Sequence, residues 1–420
     1  MLGNFRTTRC INTVHITEGE PLLTRKLKAL LLLPVFILIF ACTLSIGKLL
    51  VFALAVRVFL CWKYKRSYSK RVFRGKLFKQ SVFFIVMYLV FLLIPTVIMH
   101  GNMGVIGHYV ERMLPFFLLL FVADEETNIW STVWVGIACA LLLISLDTLP
   151  YAFLGQVPLR GNFGWHNTLG GTLAVFLPVF YFGIYKRIEN HILVGCGLLL
   201  IAVTFILMVL TESRGALLGL FSSVVLFLGA IALKKNWRIK KICSMIIIAV
   251  VLVGAFVVTT TFMGLNLNRN IAKDGRVALI ESSWHMFLDH PLLGVGVGNW
   301  REQYDNVYGV NNIEKHIDSP HNIFLQELNE AGIIGLSGLL ALFGFQYHYL
   351  LKSARADIKS GMPKLQWSFA ILLTYTVVLV HGQVDYIFFQ RSYQMFYWLL
   401  WGVYCWDSVY KKSFTKGNLN

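Results

Sequence analysis

The sequence predicts an all-α polytopic membrane protein of about twelve transmembrane helices, and three observations carry that prediction. Hydrophobic residues make up 57% of the 420 and charged residues only 14%, far from the composition of soluble domains. Apolar runs of roughly 14 to 25 residues, most of them of the length that crosses a ~30 Å hydrocarbon layer, recur along the chain. Lys and Arg concentrate in alternate connections between those runs, as the orientation rule for membrane helices requires.

The runs fall at 29–46, 49–62, 81–99, 105–122, 129–153, 168–185, 192–210, 216–233, 242–263, 333–351, 367–380 and 387–406. Arg57 interrupts the second, and His108 and Arg112 interrupt the fourth. Charge inside a span is paired, snorkelled or cavity-lining, and Glu111 and Asp147 are candidate partners. With both termini inside, the segments on the cytoplasmic side hold 27 of the 38 basic residues. The net charge of +17 is then a topology signal plus contact with anionic membrane lipids, and it does not point to nucleic acid. The first apolar run lacks a small-residue cleavage site and leads at once into the second, so it is expected to stay as an anchor. Seven cysteines avoid the long external segments, which argues against a disulfide framework or a Cys-based metal site.

This divides the chain into a cytoplasmic segment 1–28, spans one to nine over 29–263, a large external loop 264–331, spans ten to twelve over 332–406, and a cytoplasmic tail 407–420. In the loop, Val277, Ile280, Trp284, Phe287 and Leu288 recur at helical spacing. Asp274 can cap that helix, which is expected to lie amphipathically on the external membrane face. Pro291 ends it, and Gly294, Gly296 and Gly298 make a flexible turn before Trp300. Their spacing lacks the dinucleotide fingerprint and its βαβ setting. No sequence repeat or inverted pair of broken spans marks a secondary transporter.

Chemistry is expected on the external face. His321, after Pro320 and before Asn322, stands at a helix start, where an imidazole can serve as a general base or merely pack the end of the tenth span. Asp318 can orient one ring nitrogen, or stand as a plain solvated loop carboxylate. Arg214, in Thr211-Glu212-Ser213-Arg214-Gly215, can clamp a phosphate oxygen pair with its planar fork, or snorkel to lipid headgroups. Arg276, in Asp274-Gly275-Arg276, has the same two readings, and Arg160 is a third external cation. His166 and Asn167 open the sixth span much as His321 and Asn322 open the tenth, and a helix-end role is expected for His166. Trp165, Trp300, Tyr304, Tyr308 and Tyr386 can stack on sugars or form an interfacial aromatic belt. No Asp-x-Asp, His-Glu-x-x-His or Walker-A pattern is present, so neither a metal-held nucleotide sugar nor ATP is indicated. A donor activated by a lipid pyrophosphate needs neither, because cationic side chains can stabilise that leaving group.

The order Ser213-Arg214-Gly215, Gly275-Arg276, Trp284, Pro291, Gly294-x-Gly296, His321-Asn322, then nine residues to Gly332-x-x-Gly335 resembles the O-antigen ligase and polymerase superfamily of bacterial envelopes. The resemblance covers roughly Arg160 to Leu351 and is closest to the ligase. It implies a GT-C-like fold with a large periplasmic loop between spans nine and ten, in the bacterial inner membrane. It also implies transfer of a glycan from undecaprenyl pyrophosphate to a hydroxyl of lipid A-core, inverting and without metal or cofactor. By the same resemblance His321 is the catalytic residue, Arg214 and Arg276 bind the pyrophosphate donor, and Asn322, Arg160 and Asp318 support the site. The polymerase of the same superfamily, whose acceptor is another glycan, is the alternative. A lipid-linked-oligosaccharide flippase or other transporter is a second alternative, although it would place its cations near the membrane midplane.

Overall fold

The structure is a computed structural model, and it describes residues 22–44, 46–64, 71–123, 129–234, 275–310, 317–360 and 364–416. The expected ninth span, 242–263, and the capping residue Asp274 lie outside the described residues. The long helices are α1 (Leu22–Thr43), α2 (Lys48–Tyr64), α3 (Lys76–Ile98), α4 (Met103–Val122), α5 (Ile129–Phe153), α6 (His166–Lys186), α7 (His191–Leu210), α8 (Arg214–Lys234), α9 (Gly275–Asp289), α10 (Ile323–Lys359), α11 (Trp367–His381) and α12 (Arg391–Lys416). Seven of them, α3 to α8 and α10, are long and apolar enough to cross a membrane. Among the described residues there is no strand. The chain is an all-α, multi-pass membrane protein.

Local sequence explains where the helices start. Asn102, Asn190 and Asn322 each precede a helix and accept a hydrogen bond from a backbone N–H of its first turn, which satisfies donors that a helix start leaves free. Helices α6 and α12 are buried on all sides through Thr168–Phe180 and Ser392–Asp407, as expected of central helices that are not amphipathic. Large apolar side chains stand exposed on the outer helices, Phe83 of α3, Leu146 of α5 and Leu199 of α7 among them.

The chain reversals sort onto two faces. On one, Asn102 N donates to Val297 O, Leu159 N to Leu210 O and Ile323 N to Gly382 O, at 2.7, 2.8 and 2.9 Å. On the other, Lys186 Nζ reaches Leu365 O, Lys364 Nζ reaches Lys186 O and Lys234 Nζ reaches Asp357 O, at 2.9, 3.2 and 2.6 Å. The second face carries the basic residues that the sequence assigns to the cytoplasm.

Helix α10 runs from Ile323 to Lys359 but breaks at Gly332, whose φ is +62°. The break opens its hydrogen-bond ladder to another segment. In an unbroken helix the N–H groups of Ile333 and Ile334 would bond the carbonyls of Asn329 and Glu330. Here they donate instead to Pro291 O and Leu292 O, while Val295 N and Gly296 N donate to Asn329 O and Glu330 O, at 2.8 and 2.9 Å. Residues 291–296 are thus spliced into the helix. A Cβ on Gly332 would lie 2.2 Å from Leu292 O, so no other residue fits. The turn at Gly294, Gly296 and Gly298, expected to be flexible, is therefore a docked element, with Glu330 Oε1 accepting from Gly298 N at 2.9 Å. Helix α10 also begins ten residues before the expected tenth span, so His321 and Asn322 stand at a helix start that precedes that span.

Candidate active site

Three consecutive residues at the start of α10 are sewn to the end of α11. His321 Nδ1 lies 3.0 Å from Asp385 Oδ1, Asn322 Nδ2 donates to Gln383 O at 3.0 Å, and Ile323 N donates to Gly382 O. His321 holds a left-handed backbone with φ +55°, a conformation that a non-glycine residue adopts at some cost and only where its surroundings impose it. Its N–H donates to Ser319 Oγ. Asn322 caps α10 through Phe324 N and Leu325 N at 2.9 and 3.0 Å, so its part is to fix the histidine's position. The His321 side chain keeps 29% of its surface open, whereas Asp385 keeps 11%. An ionised carboxylate only accepts, so Nδ1 carries the proton in this contact and Nε2 is left as the free acceptor.

Of the two readings of Asp318, the solvated loop carboxylate is the one seen, and it does not orient His321. It is 77% exposed and accepts from Arg301 Nη1 at 2.8 Å, a guanidinium that competes for it directly. The orienting carboxylate is Asp385, which sequence reasoning missed although it is the lone acid in the turn before the last span. Its Oδ1 also accepts from Tyr386 N at 2.9 Å, so the backbone of the turn fixes it.

Arg214 is the first residue of α8 and is exposed, two residues after Glu212, whose φ is +55°. Gly215 brings this helix start against His381, since a Cβ there would lie 2.5 Å from the ring's Cδ2. His381 is fully buried, and its Nε2 is 4.0 Å from Asp385 Oδ2. The α8 start and His321 therefore flank one His381–Asp385 pair. Arg160 is exposed in the segment that follows Leu159 past Leu210, and His166 Nδ1 lies 2.8 Å from Thr211 O, which puts that segment beside the same helix start. Arg276 is the second residue of α9; its side chain lies outside what the structure describes.

Other expected contacts differ. Trp300 and Tyr304 are fully buried and stacked at 4.9 Å, forming with Leu279, Met286 and Val295 the small core of the loop, so they present no face to a sugar. Trp165 is exposed. Glu111 is paired with Arg391, and Arg112 donates to Phe389 O. Asp147 accepts from Asn162 Nδ2 at 2.8 Å. Glu327 is buried in α10 and accepts from the Tyr88 and Tyr109 hydroxyls, which ties α3 and α4 to the helix that begins at the site. Among the described residues no group of three or more His, Cys, Asp or Glu is placed to hold a metal ion.

Comparison with known proteins bears on the same region. Residues 197–340 match the family model described as O-antigen ligase. The teichuronic acid biosynthesis protein TuaE of Bacillus subtilis (strain 168) is 27% identical over 198 residues, 43% of this chain and 39% of that protein. The match thus spans well under two thirds of the relative's length. Arg214, Arg276, the spliced glycine turn, His321 and Gly332 all fall inside the family match, so over those residues the chain is similar to the O-antigen ligase family.

Proposed function

We propose that the chain is a glycosyltransferase that moves a glycan from undecaprenyl pyrophosphate to an acceptor hydroxyl at the external face of the bacterial inner membrane, with both termini cytoplasmic. The observation that carries this reading is the His321–Asp385 contact at 3.0 Å beside the helix start that bears Arg214. Asp385 holds the Nδ1 proton, so His321 Nε2 takes the proton of the acceptor hydroxyl as its oxygen attacks the anomeric carbon. The bond from that carbon to the pyrophosphate oxygen breaks, and the configuration inverts. The electron pair leaves on the pyrophosphate, where Arg214 and Arg276 offset the developing charge. Asp385 meanwhile stabilises the imidazolium. The guanidinium charge takes the place that a divalent ion would fill, so the reaction is read as metal-independent.

In the ligase reading the acceptor is lipid A-core, as the resemblance to that superfamily implies. A second reading is favoured by the relative's part in teichuronic acid biosynthesis, namely that the acceptor is another lipid-linked glycan and the product a longer polymer. The experiment that separates them is the envelope phenotype of a deletion strain. Lipid-linked polymer accumulating beside bare lipid A-core supports the ligase. Single repeat units in place of chains support the polymerase. Unchanged envelope glycans would overturn both.

A further inference from the structure

We infer that His381 is a positioning residue of the transfer reaction, acting on His321 through Asp385; the inference rests on the proposed function. His381 ends α11 and is fully buried, a place where an imidazole costs more than an apolar side chain unless it is polar-bonded. Two helices leave room for it. A Cβ on Gly171 of α6 would lie 2.9 Å from its Cε1, and one on Gly215 of α8 would lie 2.5 Å from its Cδ2. Its Nε2 faces Asp385 Oδ2 at 4.0 Å, while Asp385 N donates to the His381 carbonyl at 3.0 Å. Asp385 therefore stands between two imidazoles, with Oδ1 toward His321 and Oδ2 toward His381. The second imidazole restricts rotation of the carboxylate and so keeps Oδ1 on His321 Nδ1. Through Gly215 it also ties that dyad to the helix start carrying Arg214, so one buried ring sets the spacing of base and cation. The segment 381–385 lies beyond the family match at 197–340, which is why the motifs alone do not reveal it.

The test compares His381→Phe, which fills the space without a polar ring nitrogen, with His381→Gln, which restores one polar amide. Both are purified in lipid nanodiscs and assayed with a lipid-pyrophosphate-linked glycan. His381→Phe is expected to lower kcat by about 10²-fold, the cost of misplacing a catalytic group by about 1 Å, with KM for the donor unchanged. In an Asp385→Asn background it should cost nothing further, because residues acting as one unit are not additive. His381→Gln should stay within about tenfold of the parent. Parental kcat in His381→Phe, losses that multiply with those of Asp385→Asn, or His381→Gln as slow as Asp385→Asn would each overturn the inference. If His381→Phe fails to insert, the His381→Gln rate decides alone. The proposed function fails differently, by full transfer in His321→Ala.

Discussion

His321 Nδ1 and Asp385 Oδ1 stand 3.0 Å apart although 64 residues separate them in the chain. The contact is held from both sides, by the Asn322 cap on α10 and by the Tyr386 N–H on the carboxylate. If His321 is the base, His321→Ala should lose roughly 10² to 10⁴ in rate. Asp385→Asn, which keeps the shape but no longer stabilises the imidazolium, should lose about as much. Donor binding should survive in both, since in the proposed mechanism the arginines hold the pyrophosphate. Single-turnover transfer and donor titration on purified variants separate the two quantities. His166→Ala is the control, because its ring binds Thr211 O away from the dyad, and its transfer rate should stay near parental.

The arginine reading predicts that charge alone is insufficient. Arg214→Lys should lose most activity, because an ammonium does not reproduce the planar two-point fork. Parental activity at parental protein level would leave only headgroup anchoring. EDTA should leave the parental rate unchanged. Inhibition reversed by added divalent ion would refute the metal-free mechanism.

Much of this architecture was legible in the sequence for a physical reason. Hydrocarbon thickness fixes the length of a span and Lys/Arg bias fixes its side, so membrane helices are read from composition alone. The family resemblance singles out Arg214, Arg276 and His321 as candidates for the site. Asp385 was not legible, because nothing in its own neighbourhood reveals that the positive φ of His321 would aim the imidazole toward α11. Asp318, nearer in sequence, is solvated and held by Arg301. Nor did spacing reveal that residues 291–296 replace two backbone hydrogen bonds of α10 at Gly332 with four of their own. Trp300 and Tyr304 misled for a related reason, since aromatics in an external loop read equally as ligand platforms or as the loop's own core.

That splice makes Gly332 a stability determinant. Gly332→Ala would force a Cβ to within 2.2 Å of Leu292 O and a side chain into φ +62°. A strain of about 1–3 kcal/mol follows from the backbone alone, before any hydrogen bonds of the splice are lost. The variant should melt earlier than the parent by fluorescence-detected size exclusion, and limited proteolysis should open the chain near 291–296. A parental melting profile would mean that the splice contributes little.

The two faces of chain reversals predict sidedness. Reporter fusions after Lys359 should read cytoplasmic and fusions near Asn311 should read external. A cytoplasmic signal at Asn311 would put His321 on the wrong side for a lipid-linked donor and sink the mechanism.

The loop helix α9 offers the last test, because its surface divides into three arcs. Leu279, Ser282, Ser283 and Met286 are buried toward the protein. Glu281, His285 and Asp289 form an exposed polar arc. Between them Val277, Ile280, Trp284 and Leu288 are 51%, 50%, 50% and 55% exposed. A helix with one protein-facing, one apolar and one charged arc fits the boundary between protein, hydrocarbon and water. Leu292 follows on that helix's course and is bonded to Ile334 of α10, which carries the apolar surface onto the span. Burying such side chains is worth about 1.5–3 kcal/mol each when complete, so half-exposure to water would be a standing cost that lipid removes. A nitroxide at position 284 in nanodiscs should be relaxed by oxygen and shielded from a water-soluble nickel chelate, whereas one at 285 should show the reverse. Equal access of the chelate to both would place α9 in water, and Ile280→Asp should then leave membrane extraction unchanged instead of loosening the loop.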